Sequence, residues 1–286
     1  MKKVLVQLDN DEFASVFDTI AAYDSGAERV LQYGGVTPED VQDLVYGAIF
    51  TRGPEDLKNS AVFIGGSDVA VGEEMLEVAR DSFIGPLKVS VMLDANGCNT
   101  TAAAAVAKML SSAELSGARV AVLAGTGPVG IRAAAMFAKE GAEVTLTSRS
   151  EERAEEAAAS IEKRFGVDVK GVAAPDDEGV RAALEGAEGV LCAGAAGVTL
   201  LPESIWVEHP TLQVLGDVNA VPPLGIEGIK VHWKGKEKHG KIIYGAIGIG
   251  DFKMKVHHAS VARLFKQNDL ILDAEEVYAT AKELLT

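Results

Sequence analysis

Short apolar runs alternate with segments of helical spacing along the whole chain. In the first hundred residues the apolar runs predict strands at residues 3–8, 45–50, 61–64 and 87–93, and helical spacing predicts helices at 13–22 and 73–80. Residues 99–112, rich in alanine and with Asn99 or Thr100 as a cap, predict a helix that leads into a second set of elements. Strands that alternate with helices are typical of the α/β class.

The second part of the chain continues this alternation. It predicts strands at 120–123, 144–146, 189–192, 212–215 and 241–244, and helices at 131–139, 151–165, 252–265 and 274–285. Three of these strands lead into loops of small or polar residues, at 193–197, 217–219 and 245–248. Ligands of doubly wound sheets bind beyond the carboxyl ends of the strands, so we expect the three loops to line one cleft.

A glycine-rich turn, GTGPVG at residues 125–130, lies between the strand at 120–123 and the helix at 131–139. Glycines at such a turn let a pyrophosphate approach backbone N–H groups at a helix N-terminus. The next strand follows about 20 residues on, as in a βαβ unit. The pattern predicts dinucleotide binding by Gly125, Thr126, Gly127, Pro128, Val129 and Gly130.

The strand at 144–146 leads into Ser148 and Arg149, where NAD-binding proteins carry an acidic residue. An Asp or Glu there would accept hydrogen bonds from the ribose hydroxyls and repel a 2′-phosphate. A hydroxyl and a guanidinium suit a phosphate dianion instead. Ser148 and Arg149 therefore predict NADP as the cofactor, with NAD as a secondary one. An ordinary solvated arginine is the alternative interpretation of Arg149.

Composition narrows the classes of function. The 286 residues allow one large or two ordinary domains, and 48% hydrophobic residues suffice for a packed core. A formal net charge of −15 would repel a phosphate backbone, which argues against nucleic acid as a partner. Cys98 and Cys192 lack CxxC spacing, so we expect small buried residues in a reducing, cytoplasmic compartment. No apolar stretch is long enough to predict a membrane span.

Several segments together resemble the bacterial NADP-dependent methylene-tetrahydromethanopterin dehydrogenases, which include relatives that also act on methylene-tetrahydrofolate. The resemblance runs nearly end to end, and DANGCNTT at 94–101 and PPLG at 222–225 are its most specific segments. The segments that carry it are FD at 17–18, YD at 23–24 with Gly26, GVTP at 35–38, TRG at 51–53, FIGG at 63–66, MLDANGCNTTA at 92–102, LAGTGPVG at 123–130, NAVPPLG at 219–225, GAIGIG at 245–250 and DAEE at 273–276.

This resemblance implies two α/β domains, an N-terminal pterin-binding domain and a C-terminal Rossmann NADP-binding domain, with a cleft between them. We assign residues 1–98 plus 270–286 to the first and 99–269 to the second. The implied reaction is reversible hydride transfer from methylene-tetrahydromethanopterin, or also methylene-tetrahydrofolate, to NADP in one-carbon (formaldehyde) oxidation. The family's oligomers are trimers or hexamers, so a homo-oligomer is expected.

The implied reaction moves a hydride and no proton, so the enzyme needs positioning rather than an acid–base pair or a metal. Lys255 is expected to position the pterin, without an acid–base role. Adjacent His257 and His258 point in different directions on a helix, which argues against a shared metal. The expected substrate-binding residues are Asp9, Asp18, Asp94, Asn96, Asn99, Thr101 and Gly248. Further cofactor contacts are expected from Ala193, Gly194, Asn219, Ala246 and Ile247.

Alternatives remain open at this point. Capping or turn formation would also explain the three carboxylates. A different NADP-dependent two-domain dehydrogenase, acting on shikimate-like or amino-acid substrates, would need a lysine–aspartate pair in the first domain, where Lys2, Lys3, Lys58 and Lys88 lack such a setting. An NADP-sensing module would bind the cofactor without turnover. The preferred pterin, dual use of NAD and the physiological direction are also left open.

Overall fold

The chain divides into two units, each built on its own sheet. The computed structural model describes residues 1–286. The first unit comprises Met1–Thr100 and Met254–Leu284, and the second comprises Thr101–Lys253 with the last two residues.

Twelve strands alternate with ten α-helices, as the apolar pattern predicts for an α/β fold. The strands are β1 (Val4–Asp9), β2 (Arg29–Tyr33), β3 (Ser60–Gly65), β4 (Ser90–Leu93), β5 (Arg119–Leu123), β6 (Glu143–Ser148), β7 (Lys170–Ala173), β8 (Ala187–Cys192), β9 (Val214–Asp217), β10 (Lys234–Lys238), β11 (Lys241–Tyr244) and β12 (Ile271–Leu272). The helices are α1 (Val16–Asp24), α2 (Pro38–Ile49), α3 (Val69–Asp81), α4 (Cys98–Leu110), α5 (Pro128–Lys139), α6 (Glu151–Phe165), α7 (Asp177–Ala183), α8 (Glu203–Trp206), α9 (Ala246–Arg263) and α10 (Ala274–Glu283). Short 3-10 turns span Pro54–Asn59 and Ala95–Gly97. No helix is both long and apolar enough to cross a membrane.

The first unit contains a five-stranded sheet in the order β12-β4-β3-β1-β2, and every neighbouring pair is parallel. The central strands β3 and β4 are buried along their whole length, as parallel strands covered on both faces are. Because the strands run in one direction, Asp9, Gly65 and the residue after Leu93 all lie at the same carboxyl edge.

The second unit contains a seven-stranded sheet in the order β10-β11-β9-β8-β5-β6-β7. All pairs are parallel except the β10–β11 hairpin. Counted from β5, the parallel strands follow the doubly wound order 3-2-1-4-5-6 of dinucleotide-binding domains. The order reverses between β5 and β8, and ligands of such sheets bind at this switch point.

One predicted strand, residues 45–50, is wrong, because these residues lie in α2 and its C-cap. Thr37 and Asp40 form a capping box and Pro38 occupies the first turn, which starts the helix early. The apolar run then falls on one helical face, where Val41, Val45 and Ala48 are buried with Ile49. Strand β2 was not predicted, since its residues are mostly exposed at the edge of the sheet.

The boundary between the units also differs from the expected one. Residues 254–269, assigned from the sequence to the nucleotide domain, lie in the first unit. The second half of α9 packs on the first sheet, with the His257 ring 5.6 Å from the Phe63 ring. Ser90 at the start of β4 donates a hydrogen bond to the Gln267 carbonyl, at 2.8 Å.

Candidate functional site

The glycine turn between β5 and α5 is held to the neighbouring strand β6 by backbone and side-chain hydrogen bonds. The N–H of Gly125 donates to the Thr147 carbonyl and the N–H of Ala124 donates to Thr147 Oγ1, both at 2.9 Å. Ala124 has a positive φ of 49°, so the chain reverses sharply at the end of β5. The first turn of α5 follows at Pro128, and its leading N–H groups have no partner within the helix.

The three glycines of the turn have different reasons to lack a side chain. A Cβ on Gly125 would lie 2.9 Å from Leu146 and Val122 atoms. A Cβ on Gly130 would overlap the backbone of Gly125, 2.6 Å from its carbonyl carbon. A Cβ on Gly127 would meet no protein atom within 4 Å. Gly125 and Gly130 are thus required by packing, whereas Gly127 faces open space, which fits the close approach of a pyrophosphate.

The end of β6 places a hydroxyl and a guanidinium beside this turn. Ser148 is buried and its Oγ accepts a hydrogen bond from the Ser150 N–H, at 3.3 Å. Ser150 caps α6 by accepting from the Arg153 N–H. Arg149 lies between them, is exposed, and has no acidic partner in the chain. Its charge is therefore available to an anionic ligand.

Beyond β8 and β9, two loops lie near the switch point. The N–H of Ala193 donates to the Leu123 carbonyl at 3.0 Å, and a Cβ on Gly194 would lie 2.9 Å from the Cβ of Ala124. These contacts place the loop after β8 against the glycine turn. The amide of Asn219 is engaged within its own loop, because it accepts from the Val221 N–H and donates to the Pro223 carbonyl.

The carboxylate of Asp217 organises the loop after β9 from inside. It accepts hydrogen bonds from the N–H groups of Asn219 and Ile226, at 2.9 and 3.0 Å. Burial raises the pKa of Asp217, and these backbone donors oppose the shift because they favour the ionised form. Burial also raises the pKa of the neighbouring Cys192 thiol, with the charge of Asp217 as a second cause. Both groups are structural in this setting.

Two backbone N–H groups at the start of α9 already have hydrogen-bond partners within the chain. The N–H groups of Ile247 and Gly248 both donate to the Val231 carbonyl. Gly248 is required by packing, because a Cβ there would collide with the Trp233 carbonyl oxygen. This gives Gly248, expected to bind substrate, a structural role. Ala246 is half-buried, and the Ile247 side chain is exposed.

In the first unit, two carboxylates flank the end of β3. Asp9 is fully buried and accepts hydrogen bonds from the N–H groups of Asp11 and Ser15, at 3.1 and 2.9 Å. A Cβ on Gly65 would lie 3.4 Å from Asp9 Oδ2, 3.5 Å from Asp18 Oδ2 and 3.2 Å from the Phe63 ring. The structure therefore brings Asp9, at the end of β1, and Asp18, in the first turn of α1, together at the carboxyl edge of the sheet.

Asp94, after β4, belongs to a buried carboxylate–imidazole pair that the sequence does not reveal. Its Oδ2 lies 3.3 Å from His257 Nδ1 and accepts a 2.6 Å hydrogen bond from Thr100 Oγ1, while Oδ1 accepts from the Thr100 N–H. Both side chains are 1% exposed. The two residues are 163 positions apart, and no local pattern in the sequence links His257 to a carboxylate.

The other expected substrate residues have varied settings. Asn99 is fully buried, and its amide donates to the Leu93 carbonyl and to Asp273 Oδ1, which ties β4 to the cap of α10. Asn96 is exposed in a left-handed conformation with a φ of 52°. Thr101 is half-buried on α4, and Lys255 is exposed on α9.

Comparison with known proteins identifies the family. Residues 16–96 match the family described as methylene-tetrahydromethanopterin dehydrogenase, N-terminal. The chain is 47% identical to the bifunctional protein MdtA of Methylorubrum extorquens, over 99% of both proteins. It is 35% identical to the NAD(P)-dependent methylenetetrahydromethanopterin dehydrogenase of the same organism, again over 99% of both. This chain belongs to the methylene-tetrahydromethanopterin dehydrogenase family.

The resemblance inferred from the sequence is confirmed by this family membership. A quinate dehydrogenase from Corynebacterium glutamicum, solved in complex with NAD, aligns with 98% of each chain at a TM-score of 0.51 and 15% identity. A likeness at this level of identity shows a shared fold. The predicted class, two α/β domains with a Rossmann-type second domain, is likewise confirmed.

The glycine turn yields a direct test. Gly127→Val should fold normally, because the backbone there is extended (φ −82°, ψ 169°) and no protein atom lies near the new side chain. The same side chain fills the space of the pyrophosphate, so calorimetric affinity for NADP should fall at least about tenfold. Gly130→Ala serves as the contrast: its Cβ overlaps Gly125 and should lower the melting temperature. Undiminished NADP affinity in a folded Gly127→Val protein would place the phosphates elsewhere.

Proposed function

We propose that this chain is an NADP-dependent methylene-tetrahydromethanopterin dehydrogenase. It transfers a hydride reversibly between the methylene carbon of the pterin and NADP, as a step in one-carbon (formaldehyde) oxidation. The observation that carries the proposal is a glycine turn with open space at Gly127 in a member of this family, one of whose relatives is NAD(P)-dependent. As a member of this family, the chain is an oxidoreductase.

The reaction balances without proton transfer. The C–H bond of the methylene group breaks, both electrons leave with the hydride, and the pterin becomes a methenyl cation stabilised by its two flanking nitrogens. Bound NADP supplies the electrophilic nicotinamide carbon that accepts the hydride. The protein's own task is to bind, to orient and to exclude water, and positioning of this kind can supply roughly 7–11 kcal/mol of the barrier reduction.

On the cofactor side, the first turn of α5 and the backbone around Gly127 are proposed to hold the pyrophosphate. Ser148 and Arg149 are proposed to hold the 2′-phosphate. Glu151 and Glu152 occupy the first turn of α6 and offset the positive end of its helix dipole. The electrostatic attraction for a phosphate between the end of β6 and the start of α6 therefore depends on the positive charge of Arg149. NAD, which lacks the 2′-phosphate, remains a secondary cofactor.

On the substrate side, Asp9, Asp18 and Asp94 place negative charge at the carboxyl edge of the first sheet. Negative charge near the reacting carbon favours a product that becomes a cation. Lys255 would oppose that cation, so we place it at an acceptor oxygen of the pterin, away from the methylene carbon. Asn96 and Thr101 remain proposed pterin contacts, whereas the Asn99 amide donates to the Leu93 carbonyl and to Asp273 at the cap of α10.

We place the reaction in the cytoplasm. Cys98 and Cys192 are both buried and free of disulfides. Free thiols persist in a reducing compartment, which supports this assignment.

We also propose a homo-oligomer, a trimer or hexamer. Helix α1 exposes apolar side chains at helical spacing, with Val16 70%, Ile20 56% and Tyr23 48% exposed. Phe13, just before the helix, is 80% exposed. An exposed apolar helix face of this kind favours an interface with a second subunit.

Steady-state assays with both pterins and both nicotinamide cofactors test the function. We expect NADPH to appear only when a methylene pterin is added, with the highest kcat/KM for methylene-tetrahydromethanopterin and NADP. Reduction driven by shikimate, quinate or an amino acid instead would support the other dehydrogenase class. Tight NADP binding without turnover would support a sensing module.

Arg149→Ala tests the cofactor preference. Loss of a charge-assisted contact costs about 1.5–3 kcal/mol, so NADP affinity should fall roughly ten- to a hundredfold while NAD affinity changes little. Lys163→Ala removes the same charge from the last turn of α6 and should change neither affinity. An equal loss for NADP and NAD in Arg149→Ala would contradict the assignment of the 2′-phosphate.

Ile20→Glu tests the proposed interface. A charge in the centre of an apolar interface is costly to bury, so sedimentation velocity should show the variant as smaller species than the wild type. Ile84→Glu, at a residue with 47% exposure elsewhere on the first unit, should leave the oligomer unchanged. A monomeric wild-type protein would refute the interface.

A further inference from the structure

The imidazole of His257 is fixed in orientation by its neighbours. Nδ1 faces the Asp94 carboxylate at 3.3 Å, and that carboxylate is itself held by two hydrogen bonds from Thr100. A carboxylate accepts and cannot donate, so the proton on Nδ1 is directed at Asp94. The rings of Phe63 and Phe17 pack against the imidazole at 5.6 and 6.2 Å. These contacts fix the direction in which the other ring nitrogen of His257, Nε2, points.

That other nitrogen, Nε2, is buried and has no hydrogen-bond partner in the chain. A buried polar atom left unpaired costs about 1–3 kcal/mol, and native proteins rarely leave one without a reason. The cost is recovered if a ligand supplies the missing partner. Asp94 is the partner of Nδ1, so Nε2 is the ring nitrogen that lacks one.

The position of His257 fits a ligand site. Phe63, which contacts its ring, also lies 3.2 Å from the Cβ position of Gly65, where Asp9 and Asp18 converge. His257 therefore belongs to the carboxyl edge of the first sheet, where parallel sheets bind ligands. Of the two phenylalanine rings, Phe63 is buried within β3, whereas Phe17 is 51% exposed on the first turn of α1. Phe17 is thus the more exposed of the two rings that pack on His257.

We propose that His257 Nε2 is a hydrogen-bonding contact for the pterin, reached when the ring of Phe17 turns aside. The inference rests on the proposed function and adds a residue to its substrate site. Asp94 acts through His257 as a positioning residue, since it fixes the ring so that Nε2 meets the ligand. Because hydride transfer needs no proton, the contact aligns the pterin and does not relay a proton.

Two substitutions at His257 separate this role from a structural one. In His257→Asn the amide nitrogen takes the place of Nδ1 and keeps the bond to Asp94, but no atom remains at Nε2. In His257→Gln the amide reaches the place of Nε2, but the bond to Asp94 is lost. His232→Asn, at an exposed histidine of the second unit, is the matched control.

Steady-state kinetics and thermal unfolding of the three variants give the readout. We expect His257→Asn to melt near the wild type yet show a roughly five- to tenfold higher KM for the pterin, with the KM for NADP unchanged. His257→Gln should melt lower but keep more of the pterin affinity. His232→Asn should match the wild type. A folded His257→Asn protein with wild-type pterin kinetics would overturn the inference, whereas a wild type without pterin turnover would overturn the proposed function itself.

A measurement on the unmodified protein tests the same contact without relying on variants that could fail to fold. With only five histidines in the chain, ¹⁵N-histidine labelling resolves the ring nitrogens by NMR. Added tetrahydromethanopterin should shift the Nε2 resonance of His257 and leave its Nδ1 resonance in place, and NADP alone should shift neither. An Nε2 resonance that does not move at saturating pterin would refute the contact.

Discussion

The nucleotide site depends on a close contact of backbone with backbone. Gly130, in the first turn of α5, packs directly on Gly125, and no side chain fits between them. Two hydrogen bonds from the turn to Thr147 then fix it to β6. These constraints leave Gly127 facing open space and bring the end of β6, with Ser148 and Arg149, beside the turn. In the proposed assignment, the same few contacts set the position of the pyrophosphate at Gly127 and of the 2′-phosphate at Ser148 and Arg149.

The proposed hydride transfer requires other properties of the first unit than of the nucleotide-binding unit. A hydride donor that becomes a stabilised cation needs orientation and a favourable potential, and it needs no proton acceptor. The carboxyl edge of the first sheet matches these demands with Asp9, Asp18 and Asp94. The Asp94–His257 pair resembles an acid–base device in its geometry. In the proposed reaction, where no proton moves, the pair would serve to hold the imidazole ring in a fixed orientation.

Local patterns in the sequence were enough to predict most of the fold and the glycine turn between β5 and α5. Helix α6 and strand β11 begin and end at the predicted residues, because their signals, a serine cap before an alanine-rich face and a short β-branched run, are local. Residues 45–50 lie in α2 and its C-cap, although their apolar run predicts a strand. A short apolar run is compatible with both elements, and the capping box at Thr37 favours the helix here. His257 could not be assigned a partner, because its contact with Asp94 exists only after α9 has packed on the first sheet. Asn99 and Gly248 lie in motifs of the family and make close contacts within the chain, and spacing alone cannot distinguish such contacts from ligand contacts.

The central claim, direct hydride transfer from the pterin methylene carbon to NADP, is tested most directly by following the transferred hydrogen. Methylene-tetrahydromethanopterin with a dideuterated methylene group would be incubated with NADP and the protein in ordinary water, and the reduced cofactor analysed by mass spectrometry. The account predicts one deuterium in each NADPH formed, because the hydride passes between the two ligands without exchange. NADPH that carries hydrogen from water would contradict it, since solvent exchange requires a proton-transfer step that this mechanism lacks.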